Sequence, residues 1–302
     1  MSIDQIILAA CYDLKIYEID PSTWIVYDQY EISNSQVNRI LTQDSKFYVA
    51  AYSYLFTYDT NSQNKKPVHS IAAHESNVTD IALSSTYLIS CGEDKLIKVW
   101  DQRTVQPQST INAKESLYAI DILKNNYQII VGSESGNVSI FDLRNSNNLF
   151  KVAPIKSPVR SISMNPNGES FIVGHMDGTL FQYKINNEDS KNITENFKIN
   201  TNSEILLRAA TSPDGKLFAT CGGESSAKIW NYEDGTLMQT LSNQSDKQSE
   251  WMWDLTFSTD SKCLCTACST GDCSVWDNET GLMVSKIPPF EKCLSAIALI
   301  TV

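Results

Sequence analysis

Residues 78–103 read VTDIALSSTYLISCGEDKLIKVWDQR. Within LIKVWD, Ile97, Val99 and Asp101 share one face, and Leu96, Lys98 and Trp100 share the other. This two-residue period is that of a β-strand. The stretch divides into VTDIALSS, YLISCGED and LIKVWDQR, and PQSTINA (107–113) adds a fourth run. Small and polar residues separate the runs, as they separate strands. The prediction is one antiparallel unit of four strands, a to d.

The same unit recurs along the chain. Apolar strands end in KIYE (15–18), FTYD (56–59), KVWD (98–101), SIFD (139–142), FQYK (181–184), KIWN (228–231) and SVWD (274–277). The aromatics Tyr17, Tyr58, Trp100, Phe141, Tyr183, Trp230 and Trp276 are spaced by 41, 42, 41, 42, 47 and 46 residues. A period of about 40–45 residues fits a four-stranded propeller blade. The first unit supplies only strands b, c and d (QIILAAC, LKIYE, WIVYDQYE), and the C-terminus KCLSAIALITV is a single unpaired strand. Pairing the two removes an exposed edge. The expected fold is therefore all-β: a seven-bladed WD-repeat β-propeller, closed by pairing the C-terminal strand with the N-terminal blade. Residues 1–302 form one domain, with blades at about 3–32 plus 293–302, 36–73, 77–113, 117–153, 158–199, 204–241 and 250–290.

Composition narrows the function. The chain has 302 residues, 42% of them hydrophobic, and a net charge of −11. An acidic surface repels a phosphate backbone, so nucleic acid is not an expected ligand. The start, MSIDQIILAACYD, has neither the basic segment nor the apolar length of a signal peptide or membrane span. Direct membrane insertion is therefore not expected, the eight cysteines read as reduced thiols, and the expected compartment is the cytosol.

Three residues look catalytic. Asp94, His74 and Ser90 could be read as a hydrolase triad. Trp100 supports another reading, in which Asp94 accepts from His74, His74 reaches Ser90, and Ser90 meets the indole of Trp100. A closed polar chain of this kind satisfies buried groups between blades. Cys263, Cys265, Cys268 and Cys273 invite a zinc reading. The alternative is a strand b whose small side chains pack, because Cys91, Gly132, Gly174, Cys221 and Ala267 all stand nine residues before the key aromatic. No phosphate-cradling glycine loop and no kinase, protease or dehydrogenase signature is present. The expectation is a chain with no catalytic, cofactor or metal site. Two polar stretches, 186–200 and 242–250, read as surface loops.

Several stretches resemble one family. SQVNR (35–39), GEDKLIKVWDQR (92–103), SEWMWDLTFSTDSKCLCTACST (249–270) and ETGLMVSK (279–286) are similar to the WD-repeat, G-protein-β-like subunit of the TOR (target of rapamycin) kinase complexes. The resemblance spans the chain. It implies a non-catalytic scaffold that binds the C-lobe of the TOR kinase domain and joins other TOR complex subunits, as a monomeric propeller recruited to endomembranes through its complex. Phosphoryl transfer would belong to the kinase.

Strand a and the loop entering it should line one face of the ring. The candidate partner face is Asn38, Arg39, Asp80, Tyr118, Arg160, Arg208, Trp251, Trp253 and Asp254, since Arg and Trp are frequent interface anchors. Two alternatives stand beside it: Arg39, Arg208 and Asp254 as ion pairs around the channel, and the Trp pair as inter-blade packing. A second function class rests on WDQR (100–103) and FDLR (141–144), which resemble the WDxR box of substrate receptors of cullin-based ubiquitin ligases.

Overall fold

The computed structural model describes residues 5–32, 35–103, 106–186, 192–201, 204–242, 250–287 and 290–301. These residues form 28 strands in seven four-stranded antiparallel sheets, with no helix among the described residues. Each sheet is one blade, running a to d from the centre outward. Strand a is Val37–Gln43, Val78–Leu83, Leu117–Ile122, Val159–Met164, Leu206–Thr211 and Met252–Phe257 in blades 2 to 7.

Blade 1 takes its strand a from the other end of the chain. Leu294–Thr301 pairs antiparallel with Gln5–Cys11, from Gln5↔Thr301 to Cys11↔Leu294. The inward edge of the first blade is thus covered, which removes the open edge that invites aggregation.

The core lies between blades, and each neighbouring pair shares one apolar cluster. Tyr30, Phe47 and Tyr58 join blades 1 and 2, for example, while Ile7, Cys265 and Leu299 join blades 7 and 1. The small residue on strand b follows from this packing. A Cβ added to Gly132 would stand 2.2 Å from Val159 Cγ1, and one added to Gly174 would stand 2.7 Å from Leu206 Cδ2. The first apolar side chain of the next strand a fills that space, so a larger residue would overpack the blade junction.

One reading needs correction. Residues 186–200 are not wholly a loop, because Ile193–Asn200 is strand d of blade 5, paired with Thr179–Ile185. Ile193, Phe197 and Ile199 pack against neighbouring cores, but polar residues between them hide the period. Residues 187–191 of that stretch, and 243–249 of the stretch 242–250, lie outside the described residues.

Candidate functional site: the channel mouth

Every strand a opens apolar-x-y-apolar: VNRI (37–40), VTDI (78–81), LYAI (117–120), VRSI (159–162), LLRA (206–209), MWDL (252–255) and LSAI (294–297). In every blade the pairing with strand b skips the second residue. Val37 faces Ala51 and Arg39 faces Ala50, which leaves Asn38 unpaired; the same shift leaves out Thr79, Tyr118, Arg160, Leu207, Trp253 and Ser295. A bulge of this kind bends the strand and re-aims side chains. All seven bulged residues line one cavity of about 600 Å³ at the channel mouth.

The residue after each bulge decides the electrostatics. Arg39 Nε stands 3.4 Å from Asp80, Arg39 Nη1 3.6 Å from Asp254, and Arg208 Nε 3.5 Å from Asp254. Both carboxylates also accept two backbone N–H groups, one from their own blade and one from the next. Asp80 takes Ile81 (2.9 Å) and Ile120 (3.1 Å), and Asp254 takes Leu255 (2.9 Å) and Ile297 (3.0 Å). Asp121, deeper in the channel, accepts from Ile122 and Met164 in the same way. Burial raises its pKa, and these two bonds oppose the shift. Arg39 and Arg208 also border a second cavity of about 340 Å³, so they stand at the waist between the two. Burial, then the neighbouring Arg208, lowers the pKa of Arg39. Such pairs hold only while complete, because removing one partner strands a charge.

Aromatic residues frame the mouth. Arg160 lies over Tyr118, 5.7 Å from the ring centroid. Trp251 and Trp253 are tilted against each other with centroids 5.4 Å apart. Trp253 lines the cavity; Trp251 stands outside it, half-buried, with its backbone bonded twice to Ser269. Met252 and Leu255, between and beyond them, enter the core of blades 6 and 7.

The nine candidate residues thus divide. Arg39, Asp80, Arg208 and Asp254 form a chain of ion pairs inside the channel, whereas Asn38, Tyr118, Arg160 and Trp253 belong to the bulged ring and Trp251 adjoins it. The sequence reading missed Thr79, Leu207 and Ser295. Their signal was present as the second position of each strand a.

Away from the channel, His74 Nδ1 is 2.9 Å from both oxygens of Asp94, and His74 Nε2 is 2.7 Å from Ser90 Oγ. The Trp100 indole donates to the same Ser90 Oγ at 2.9 Å. Burial lowers the pKa of His74, against the pull of Asp94. A neutral ring then donates from Nδ1 to Asp94 and accepts at Nε2 from Ser90. Ser90 is fully buried, and its oxygen is occupied on both sides, which leaves no approach for a substrate. Trp230 and Trp276 donate to Thr220 and Thr266 in the same manner, at 2.9 and 3.0 Å. A hydroxyl ten residues before each Trp was a signal the sequence reading used only once.

The four clustered cysteines do not converge. Cys263, Cys265 and Cys273 face the core between blades 7 and 1, and Cys268 faces the core between blades 6 and 7. Burial pushes the Cys268 thiol up to about 12. Arg103 and Arg144 each fold back on Asp101 and Asp142 in two-bonded pairs of 2.6–3.0 Å, although both side chains are largely exposed.

Seven bulged blades around a polar channel, with a His-Ser-Trp-Asp set between blades, define a WD-repeat β-propeller. Residues 65–277 match the family model described as Nucleolar protein 10-like, N-terminal domain, and the chain belongs to that family. It is also similar, as its sequence motifs indicate, to proteins named as TOR complex subunits. It is 27% identical over 264 residues to target of rapamycin complex subunit LST8 of Mus musculus, covering 83% of this chain and 81% of that protein. It is 27% identical to target of rapamycin complex subunit wat1 of Schizosaccharomyces pombe (77% and 76% covered) and to LST8 of Saccharomyces cerevisiae (78% and 80%). No helix among the described residues is long and apolar enough to cross a membrane.

Proposed function

We propose that this chain is a non-catalytic subunit of a TOR complex that binds and stabilises the C-lobe of the kinase domain, acting in the cytoplasm. The observation that carries the reading is the likeness to proteins named as TOR complex subunits, over about four-fifths of both chains. The channel mouth supports it as the docking face, because Tyr118, Arg160, Trp251 and Trp253 gather aromatic and guanidinium groups at one rim. Such groups anchor protein interfaces, and the closed ring holds them on a rigid platform.

Affinity capture of the native protein tests this reading. A very large kinase should co-purify, and Trp251→Ala should reduce its recovery about tenfold, the effect of losing one anchor of about 1.4 kcal/mol, with an unchanged melting temperature. Capture that recovers no kinase refutes the reading. Arg103→Ala serves as the control for the cullin-adaptor alternative: loss of an adaptor, with the kinase absent, would favour that class.

A further inference from the structure

The chain contains only five arginines, and three of them, Arg39, Arg160 and Arg208, line the cavity at the channel mouth. Among the described residues, the buried Nε of each has no hydrogen-bond partner. Arg39 and Arg208 face carboxylates at 3.4–3.6 Å, too far for well-formed bonds. Those carboxylates are already held by backbone N–H groups. No ion-pair partner stands within 4 Å of Arg160 among the described residues, and its guanidinium lies over the Tyr118 ring, 5.7 Å from the centroid. Three guanidinium groups therefore bring about fifteen N–H donors to one cavity, and few of them are used.

The geometry points to a small phosphate-class anion bound at the channel mouth by Arg160, with Arg208 and Arg39 behind it. A guanidinium fork suits an oxyanion. A carboxylate offers two oxygens, whereas a phosphate offers further acceptors to the arginines that line the same cavity from blades 2, 5 and 6. Glu93 and Glu134 line the blade 3 and blade 4 side of the same cavity. They set a limit on size: a single phosphoryl group can stay near the arginines, while an extended polyanion would meet the two carboxylates. The site stands on the cavity alone, so its failure and that of the TOR-subunit reading are separate results.

Calorimetric titration of the purified full chain in phosphate-free buffer, with inorganic phosphate as the probe, tests the site. One equivalent should bind saturably. Arg160→Gln should weaken binding at least tenfold and Arg160→Lys less, while Arg103→Gln should leave it unchanged. O-phosphoserine as a second probe separates a free anion from one presented on a side chain: tighter binding by either assigns the source and supports the site. Acetate should bind more weakly than both. If Arg160→Gln does not fold, phosphate should still protect Arg160 of the wild-type chain from phenylglyoxal, read by peptide mass. Absence of saturable binding, equal affinity in Arg160→Gln, or no protection overturns the inference.

Discussion

Asp254 is the most connected group in the channel, and its removal offers a quantitative test of the waist. Its carboxylate faces Arg39 at 3.6 Å and Arg208 at 3.5 Å, and accepts N–H groups from Leu255 and Ile297. Asp254→Asn keeps the shape but leaves two buried guanidinium groups with less compensation. Breaking a buried pair costs about 3–5 kcal/mol. A chain of this length has an unfolding entropy of about 0.6 kcal/mol per kelvin, so a loss of about 4 kcal/mol lowers the melting temperature by about 6 °C. A double-mutant cycle isolates the electrostatic part. Arg208→Met should destabilise the wild-type chain, yet cost less, or stabilise, once Asp254 is Asn, because it then removes an uncompensated charge. The coupling should exceed about 1 kcal/mol in urea denaturation and persist in high salt, since buried pairs are poorly screened. Additivity within about 0.5 kcal/mol would show that the carboxylate and guanidinium groups do not interact energetically.

Other expectations follow from named contacts. Deleting residues 292–302 removes the buried Leu294, Ile297, Leu299 and Ile300; at about 1.5–3 kcal/mol each, the loss rivals the stability of a whole domain, so circular dichroism should show no cooperative transition, and an unchanged melting temperature would refute closure. Ser90→Ala leaves the Trp100 indole and His74 Nε2 unpartnered and should cost about 1–3 kcal/mol, whereas Ser90→Thr, the residue type of blades 6 and 7, should cost less; equal losses would deny the hydroxyl its role. Gly132→Ala should cost about 1–3 kcal/mol by overpacking against Val159, and Val159→Ala should recover part of that loss; a further drop in the double variant would refute the contact. Burial lowers the pKa of both His74 and His175 from the ordinary 6.5. The unfolded chain therefore binds protons more readily below about pH 6.5, and stability present above that pH should decline as pH falls toward the depressed folded values. His175→Phe should make the decline shallower, and a flat melting temperature from pH 7.5 to 5.5 would refute this linkage.

Much of the ring was legible because its signals are local. Strand alternation, the aromatic spacing and the orphan strand at the C-terminus all act over a few residues or a fixed period, so seven blades and their closure could be counted from the chain. Strand d of blade 5 escaped because ITENFKIN buries only part of one face and its polar residues dilute the alternation.

The channel is different in kind. VNRI or MWDL reads the same whether the strand is regular or bulged, and only pairing with strand b shows that one residue is left out and re-aimed. Arg39, Asp80, Arg208 and Asp254 lie far apart in sequence, and only closure of the ring brings their charges within 4 Å. The cysteines show the same division: the sequence determined that small residues stand on strand b, while blade packing decided that Cys268 faces a different core from Cys263, Cys265 and Cys273. Sequence alone determined the repeat, its count and the polar set around Trp100, because hydrogen-bonding types and periods are properties of the chain. Tertiary structure decided which charges pair and which arginines keep donors free, because those depend on distances across the channel.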